Sequence, residues 1–263
     1  MTLNSSLWPL LVLLGGATVY AQDELVAVPN RPTVSTTAQP VQLGVLETEW
    51  GIDAASTHQD LNGLFKFGLT TNFELRFANN PLTADSGTHG LGDTFAGFKY
   101  RFTRDSGHKP SIAFMYMFKA PTAGDVLGSG QADQVFTLLV SKDMGKHHFD
   151  FNTAVNLLGR PQGFDHDFLN ALAWSHPVHG NWSANAELSG LTSPNANTPG
   201  SAQFIASAIY TARPRLVFDI GMMGRLAGQI PHAMFIGGVT YSIADLYRGH
   251  RQNDSPAPAS AVH

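Results

Sequence analysis

The chain contains no cysteine. That excludes disulfides, thiol catalysis, thiolate-held metals and an N-terminal lipidated cysteine. Charge is scarce as well: Asp, Glu, Lys and Arg make up 14% of the 263 residues, against about 25% in a soluble domain. A formal net charge of −4 is too mild to mark a nucleic-acid surface or a polybasic membrane anchor. No apolar run reaches the roughly eighteen residues of a spanning helix. A shorter one, Leu7 to Val19, leads into Val19-Tyr20-Ala21, and small residues at these spacings fit export-signal cleavage after Ala21.

What the chain does have is alternation. In His148-Phe149-Asp150-Phe151-Asn152-Thr153-Ala154-Val155-Asn156-Leu157 one face carries Phe149, Phe151, Val155 and Leu157. The other carries His148, Asp150, Asn152 and Asn156. Similar units follow one another, as in Phe73-Glu74-Leu75-Arg76-Phe77, Ala96 to Phe102, Ile112 to Phe118 and Leu216 to Met222. Alternation and turn chemistry place strands near 41–51, 60–69, 71–79, 90–103, 110–119 and 131–141, then 147–158, 165–175, 181–190, 201–211, 215–226 and 232–243. The unit around Phe164 to Trp174 mixes apolar and polar residues on both faces.

This pattern predicts an all-β fold, a transmembrane antiparallel up-and-down barrel of about twelve strands, oily outside and wet inside. The domains expected are a signal peptide at 1–21, a flexible N-terminal segment at 22–40, the barrel at 41–243 and a disordered tail at 244–263. Both terminal segments are polar, contain proline and lack periodicity, and both are expected on the periplasmic side.

Connection lengths support the barrel. Thr70-Thr71-Asn72, Asp105 to His108, Asp143 to Lys146, Pro177 to Gly180 and Ala212-Arg213-Pro214 are short. Between them fall the longer Ile52 to Gln59, Asn80 to His89, Pro121 to Gly130, Arg160 to Phe164 and Thr192 to Gly200. Short periplasmic turns alternating with longer external loops are an outer-membrane trait. A secreted β-sandwich would also alternate, but its strands run shorter. Aromatics near strand ends (Trp50, Tyr100, Tyr116, Trp174, Trp182, Tyr210, Tyr241) suit rings at two membrane interfaces.

If apolar residues face lipid, their neighbours face the lumen. The candidate lumen-lining residues are Glu47, Glu49, Lys66, Glu74, Arg76, Asp93, Lys99, Arg101, Asp150, Asn152, Glu187, Asp219 and Arg225. Mixed signs on adjacent strands can pair, so these groups either brace a narrow barrel or line a solute path.

The run Leu64 to Phe102, with Gly68-Leu69-Thr70, Gly90-Leu91-Gly92-Asp93 and Gly97-Phe98-Lys99-Tyr100-Arg101-Phe102, is followed by Lys119-Ala120-Pro121-Thr122 and Asp150-Phe151-Asn152. Over about Gln42 to Tyr241 this resembles the outer-membrane family named for the meta-pathway of phenol degradation, whose members are often called simply transporters. The resemblance implies a barrel that passes or binds small, often hydrophobic or aromatic molecules. Gly238-x-x-Tyr241-x-Ile243 resembles the signal read by the barrel-insertion machinery, although the chain continues about twenty residues beyond it.

Other motifs are weak. Gly90-Leu91-Gly92-Asp93 lacks the downstream Lys-Ser/Thr of a phosphate loop and reads as a turn leading into a strand. His147-His148 and His176-x-x-His179 lack the further ligands of a metal site. Ser175-His176 and Ser183 lie near one rim, as a lipid hydrolase would need, but no nucleophile elbow accompanies them. The functional expectation is therefore a non-enzymatic outer-membrane channel without cofactor or metal, allowing a small-molecule solute to bind or pass. A closed structural or surface barrel is the alternative, and a lipid hydrolase a minor one. The partners expected are outer-membrane lipid, the barrel-assembly machinery and the solute, not nucleic acid.

Overall fold

A computed structural model describes residues 24–124 and 127–247. The expected signal peptide, and the tail beyond Tyr247, lie outside the described residues. Thirteen strands follow in order: β1 (Val45–Ala54), β2 (His58–Gly68), β3 (Phe73–Asp85), β4 (Thr88–Gly90), β5 (Thr94–Thr103), β6 (Ser111–Ala120), β7 (Asp133–Met144), β8 (His147–Gly159), β9 (Phe164–His179), β10 (Trp182–Leu191), β11 (Ser201–Arg213), β12 (Leu216–Ala227) and β13 (Ala233–Asp245). Each long strand pairs antiparallel with its neighbours, and β1 pairs with both β2 and β13. The sheet closes through β2–β3. Only β4 stands outside the wall, as a three-residue return on β3, so the barrel has twelve staves.

The two faces separate as the alternation predicts. Along β1, Val45, Glu47, Glu49 and Gly51 are buried while the residues between them are partly exposed. Large apolar residues remain half-exposed on the outside, including Leu75, Phe77, Leu172, Leu188, Ile220 and Met222. An apolar exterior around buried charges reverses the order of a soluble protein and suits a wall solvated by lipid.

Local details depart from the sequence reading. The connection read as a long loop at Ile52 to Gln59 is only residues 55–57, because β1 and β2 both extend toward it. The one read at Asn80 to His89 is a hairpin: β3 continues to Asp85 and returns in β4. Its two turn residues, Ser86 and Gly87, have φ of 47° and 92°, the left-handed pair that suits strand twist. The ambiguous unit is the sixteen-residue β9, which absorbs Pro177 to His179 and leaves a turn at 180–181. The tyrosines and tryptophans read at strand ends divide unevenly, and Trp50 is mid-strand in β1. Tyr100, Trp174, Trp182, Tyr210 and Tyr241 sit toward the short-turn end, where Trp182 packs on Tyr210 at 4.8 Å and Arg215 lies 5.0 Å over Tyr241. Tyr116 is instead mid-strand against Phe98 and Phe136.

The main correction concerns the segment expected to be flexible. Residues 24–43 run inside the barrel. Asn30, Ser35, Thr36, Ala38, Pro40 and Val41 are all buried, and the segment makes hydrogen bonds and ion pairs to nine strands around the circumference. Only the lumen touches all of those faces.

Candidate functional site

The geometry of this N-terminal strap can be followed from bond to bond. It enters at the short-turn end, where Ala27 N–H donates to the carbonyl of Pro214 at 2.8 Å. It climbs β1: Val28 N–H donates to Glu47 at 3.0 Å, and Asn30 donates to Glu49 from its backbone at 3.0 Å and its amide at 2.9 Å. At the apex Arg31 reaches Asp53 at 3.3 Å, Asp219 at 3.6 Å and the Gly237 carbonyl at 3.2 Å. The chain then crosses to β10, where Glu187 accepts from Val34 N–H (3.1 Å), Ser35 N–H (2.7 Å) and the Ser35 hydroxyl (2.6 Å).

The strap descends the opposite wall. Thr36 and Asn152 exchange two bonds of 2.7 and 2.9 Å. Ala38 N–H donates to Ser141 Oγ at 2.7 Å, and Val41 N–H donates to Glu74 at 2.8 Å. Lysines cap the free carbonyls, Lys66 on Val28 at 2.6 Å and Lys99 on Gln39 at 3.0 Å. Ala38 also packs on Ala113 and Leu139.

An irregular backbone in a closed interior must still pair its N–H and C=O groups. Here the wall's charged and amide side chains do that. Acids accept from strap N–H groups, lysines donate to strap carbonyls, and the charges of β1, β2, β3 and β5 also pair along the wall. Lys66 bridges Glu47 at 2.6 Å and also contacts Glu49. Glu74 holds Arg76 at 2.8 Å and Lys99 at 3.6 Å. Bonds to charged groups are stronger than neutral ones, which lets side chains substitute for a sheet ladder.

Glycines make room for the apex. Gly51 and Gly238 are register partners on β1 and β13. A Cβ on Gly51 would stand 1.9 Å from the Arg31 guanidinium carbon, and one on Gly238 2.5 Å from its Nε. Arg31 therefore lies on a glycine floor between two acids.

Of the thirteen residues read from the sequence, Glu47, Glu49, Lys66, Glu74, Arg76, Lys99, Arg101, Asn152, Glu187 and Asp219 are buried in the interior. Arg101 binds the Thr71 carbonyl at 2.8 Å and contacts the Gln39 side chain. Asp150 is partly exposed near the short-turn end, between Ser141 and His148. The other two belong to the opposite rim. Asp93 lies just before β5 and accepts from Thr122 and Ala123 N–H groups, both at 2.9 Å. Arg225 turns to the 228–232 connection, bonding the Ile230 carbonyl at 2.9 Å. Thr192 to Gly200, read as one of the longer connections, is tied to the wall where Asn195 donates to Asp165 at 2.8 Å.

Sequence reasoning missed the strap's own Arg31 and Ser35, the bonding partner Ser141, and an apolar patch of Ile205, Met223 and Ile236 on the inner face of β11–β13. The signal available for the patch was apolar residues on the polar parity of three adjacent strands. The hydrolase arrangement fails on the same parity. Neighbours in a strand face opposite ways, and His176 stacks on His147 and Trp174 at the outer surface, away from Ser175 and Ser183. Among the described residues no group of three or more acids and histidines is placed to hold a metal.

No family model and no curated protein matches the chain. Solved structures do. An outer membrane channel from Pseudomonas putida F1 aligns at 14% identity and a TM-score of 0.60, over 78% of this chain and 96% of its own. The NanC porin aligns at 10% identity and 0.58, over 75% and 100%. The KdgM porin, in complex with disordered oligogalacturonate, aligns at 10% identity and 0.57, over 75% and 99%. At such identities the likeness is one of fold: this chain shares the closed β-barrel architecture of these outer-membrane proteins.

Proposed function

We propose that the protein is a passive outer-membrane channel for small molecules, held closed in this state by its own N-terminal strap. One observation carries the reading: the lumen is filled by a segment bonded through hydrogen bonds and ion pairs, not by side chains interlocked from the wall. A barrel that only needed to be solid could fill its interior with wall residues, as small barrels do. A polar strap on polar anchors can exchange its bonds for water and leave, because wall and strap are both soluble in what replaces them.

Under this reading the apolar exterior meets outer-membrane lipid, and Gly238-x-x-Tyr241-x-Ile243 is offered to the barrel-assembly machinery. The resemblance of Leu64 to Phe102 to the phenol meta-pathway family supports a small, apolar or aromatic solute. The competing reading, a closed barrel without transport, draws on the same filled lumen. Planar-bilayer recordings of refolded protein separate the two. A channel with a removable strap gives brief openings in the intact chain and sustained conductance after deletion of residues 24–40. Silence from both proteins, with no solute flux into liposomes, would sink the channel reading.

A further inference from the structure

Two buried apolar patches line the interior, and one of them borders a pocket. Ala113 and Leu139 take the strap's Ala38. The second, Ile205–Met223–Ile236 with Met234 packed against it, faces a pocket of about 230 Å³ whose other side is the strap apex, Arg31 to Val34. We infer that this pocket is a binding site for a small uncharged amphiphile, with the strap itself forming one wall.

The lining sets the ligand's chemistry. Burial against Ile205, Met223 and Ile236 rewards an apolar body, at about 25 cal/mol per Å² removed from water. The polar groups at the margin are Arg31, Thr33, Asp53 and Gln203, and the Thr33 hydroxyl already bonds the strap carbonyls of Asn30 and Ser35. The cation and the anion among them are already paired with each other at 3.3 Å, and Asp219 stands 3.6 Å from the guanidinium Nε. An incoming ion would therefore lose its water without gaining a free counter-charge, which is costly in a low-dielectric site. An uncharged hydroxyl meets no such cost. Gln203, on the same face as Ile205, lines the pocket, and its side-chain amide can donate to or accept from a ligand hydroxyl.

Size narrows the class further. An apolar cavity of about 150 Å³ accepts benzene, so 230 Å³ accommodates one ring with a short polar substituent. Entry of such a molecule from outside rests on the channel reading, whereas occupancy of the site does not.

The test uses the chain in lipid nanodiscs, titrated calorimetrically with three probes that share one body: benzyl alcohol, benzoate and benzylammonium. Empty nanodiscs provide the blank. The alcohol is expected to bind saturably, and both ions at least about tenfold more weakly. Ile205→Asn, which removes the apolar wall, and Met223→Trp, which fills the space, are each expected to weaken alcohol binding about tenfold or more. Circular dichroism confirms that each variant is folded; should one misfold, the other decides, and the three-probe comparison on the unaltered chain stands alone. Equal binding of all three probes, unchanged binding in a folded variant, or no saturable binding of the alcohol overturns the site. A protein that conducts without binding the alcohol loses this site and keeps the channel. One that binds without ever conducting does the reverse.

Discussion

Glu187→Ala is the sharpest test of how the strap is held. The Glu187 carboxylate is buried and receives three donors from the apex: Val34 N–H at 3.1 Å, Ser35 N–H at 2.7 Å and the Ser35 hydroxyl at 2.6 Å. A hydrogen bond to a charged group contributes about 1.5–3 kcal/mol. Three bonds sharing one carboxylate do not add fully, so about 3–5 kcal/mol is the expected loss on truncation. At 1.4 kcal/mol per factor of ten, the apex should open roughly a hundred- to a few-thousand-fold more often. Amide hydrogen exchange reads this directly, because the Val34 and Ser35 amides lose protection when the apex lifts. Exchange at Thr36 and Ala38, which hang on Asn152 and Ser141, should accelerate less. Glu187→Gln keeps an acceptor oxygen and should fall between the two. Unchanged exchange at Val34 and Ser35 in the Ala variant would mean that the strap is held by shape, and the anchoring account would fail.

Three further outcomes follow from the same physics. Lys66→Met strands Glu47 and Glu49 together in a buried site, and breaking such a cluster on one side costs about 3–5 kcal/mol; urea unfolding in detergent should show the loss, and adding Glu47→Gln with Glu49→Gln should restore most of it. Leu188→Arg puts a cation on the half-exposed outer face of β10, at a cost of about 2–4 kcal/mol if that face lies near the bilayer midplane. Refolding titrations in lipid vesicles measure it, and a neutral result would argue against lipid there. Asp105, in the 104–110 turn, is held down to about 2 by hydrogen bonds from Lys142 and from the Asp143 and Gly107 amides. A depressed carboxyl stabilises the folded turn above its ordinary pKa, and that contribution disappears as pH falls through about 2. An NMR titration of the Asp105 carboxyl should therefore show a midpoint near 2, and a midpoint near 4 would refute the turn's bonding.

Some of this architecture is legible in the chain and some is not, for reasons that particular residues show. Strand alternation is a local property, so Phe149 and Phe151 outside with Asn152 inside follow from spacing alone. Turn lengths are less secure, because a strand can extend past its clearest alternation; β3 does so from Asn79 to Asp85, where twist-compatible Ser86 and Gly87 complete a hairpin. Glu187 and Lys66 could be assigned to the interior but not to a partner. Pairing depends on which staves close on one another and on what stands between them.

The strap is the extreme case. Its residues have no periodicity, since none belongs to a ladder, and composition alone made them look like an unstructured leader. Their partners are remote: Ala38 and Ser141 are 103 positions apart, Ser35 and Glu187 152, Arg31 and Gly237 206. The amino-acid sequence by itself determined a barrel with an oily exterior and a charged interior, because the period of two is written residue by residue. Only the tertiary structure decided that this interior is occupied, by closing twelve staves around a segment whose backbone needed the charges that the staves turned inward.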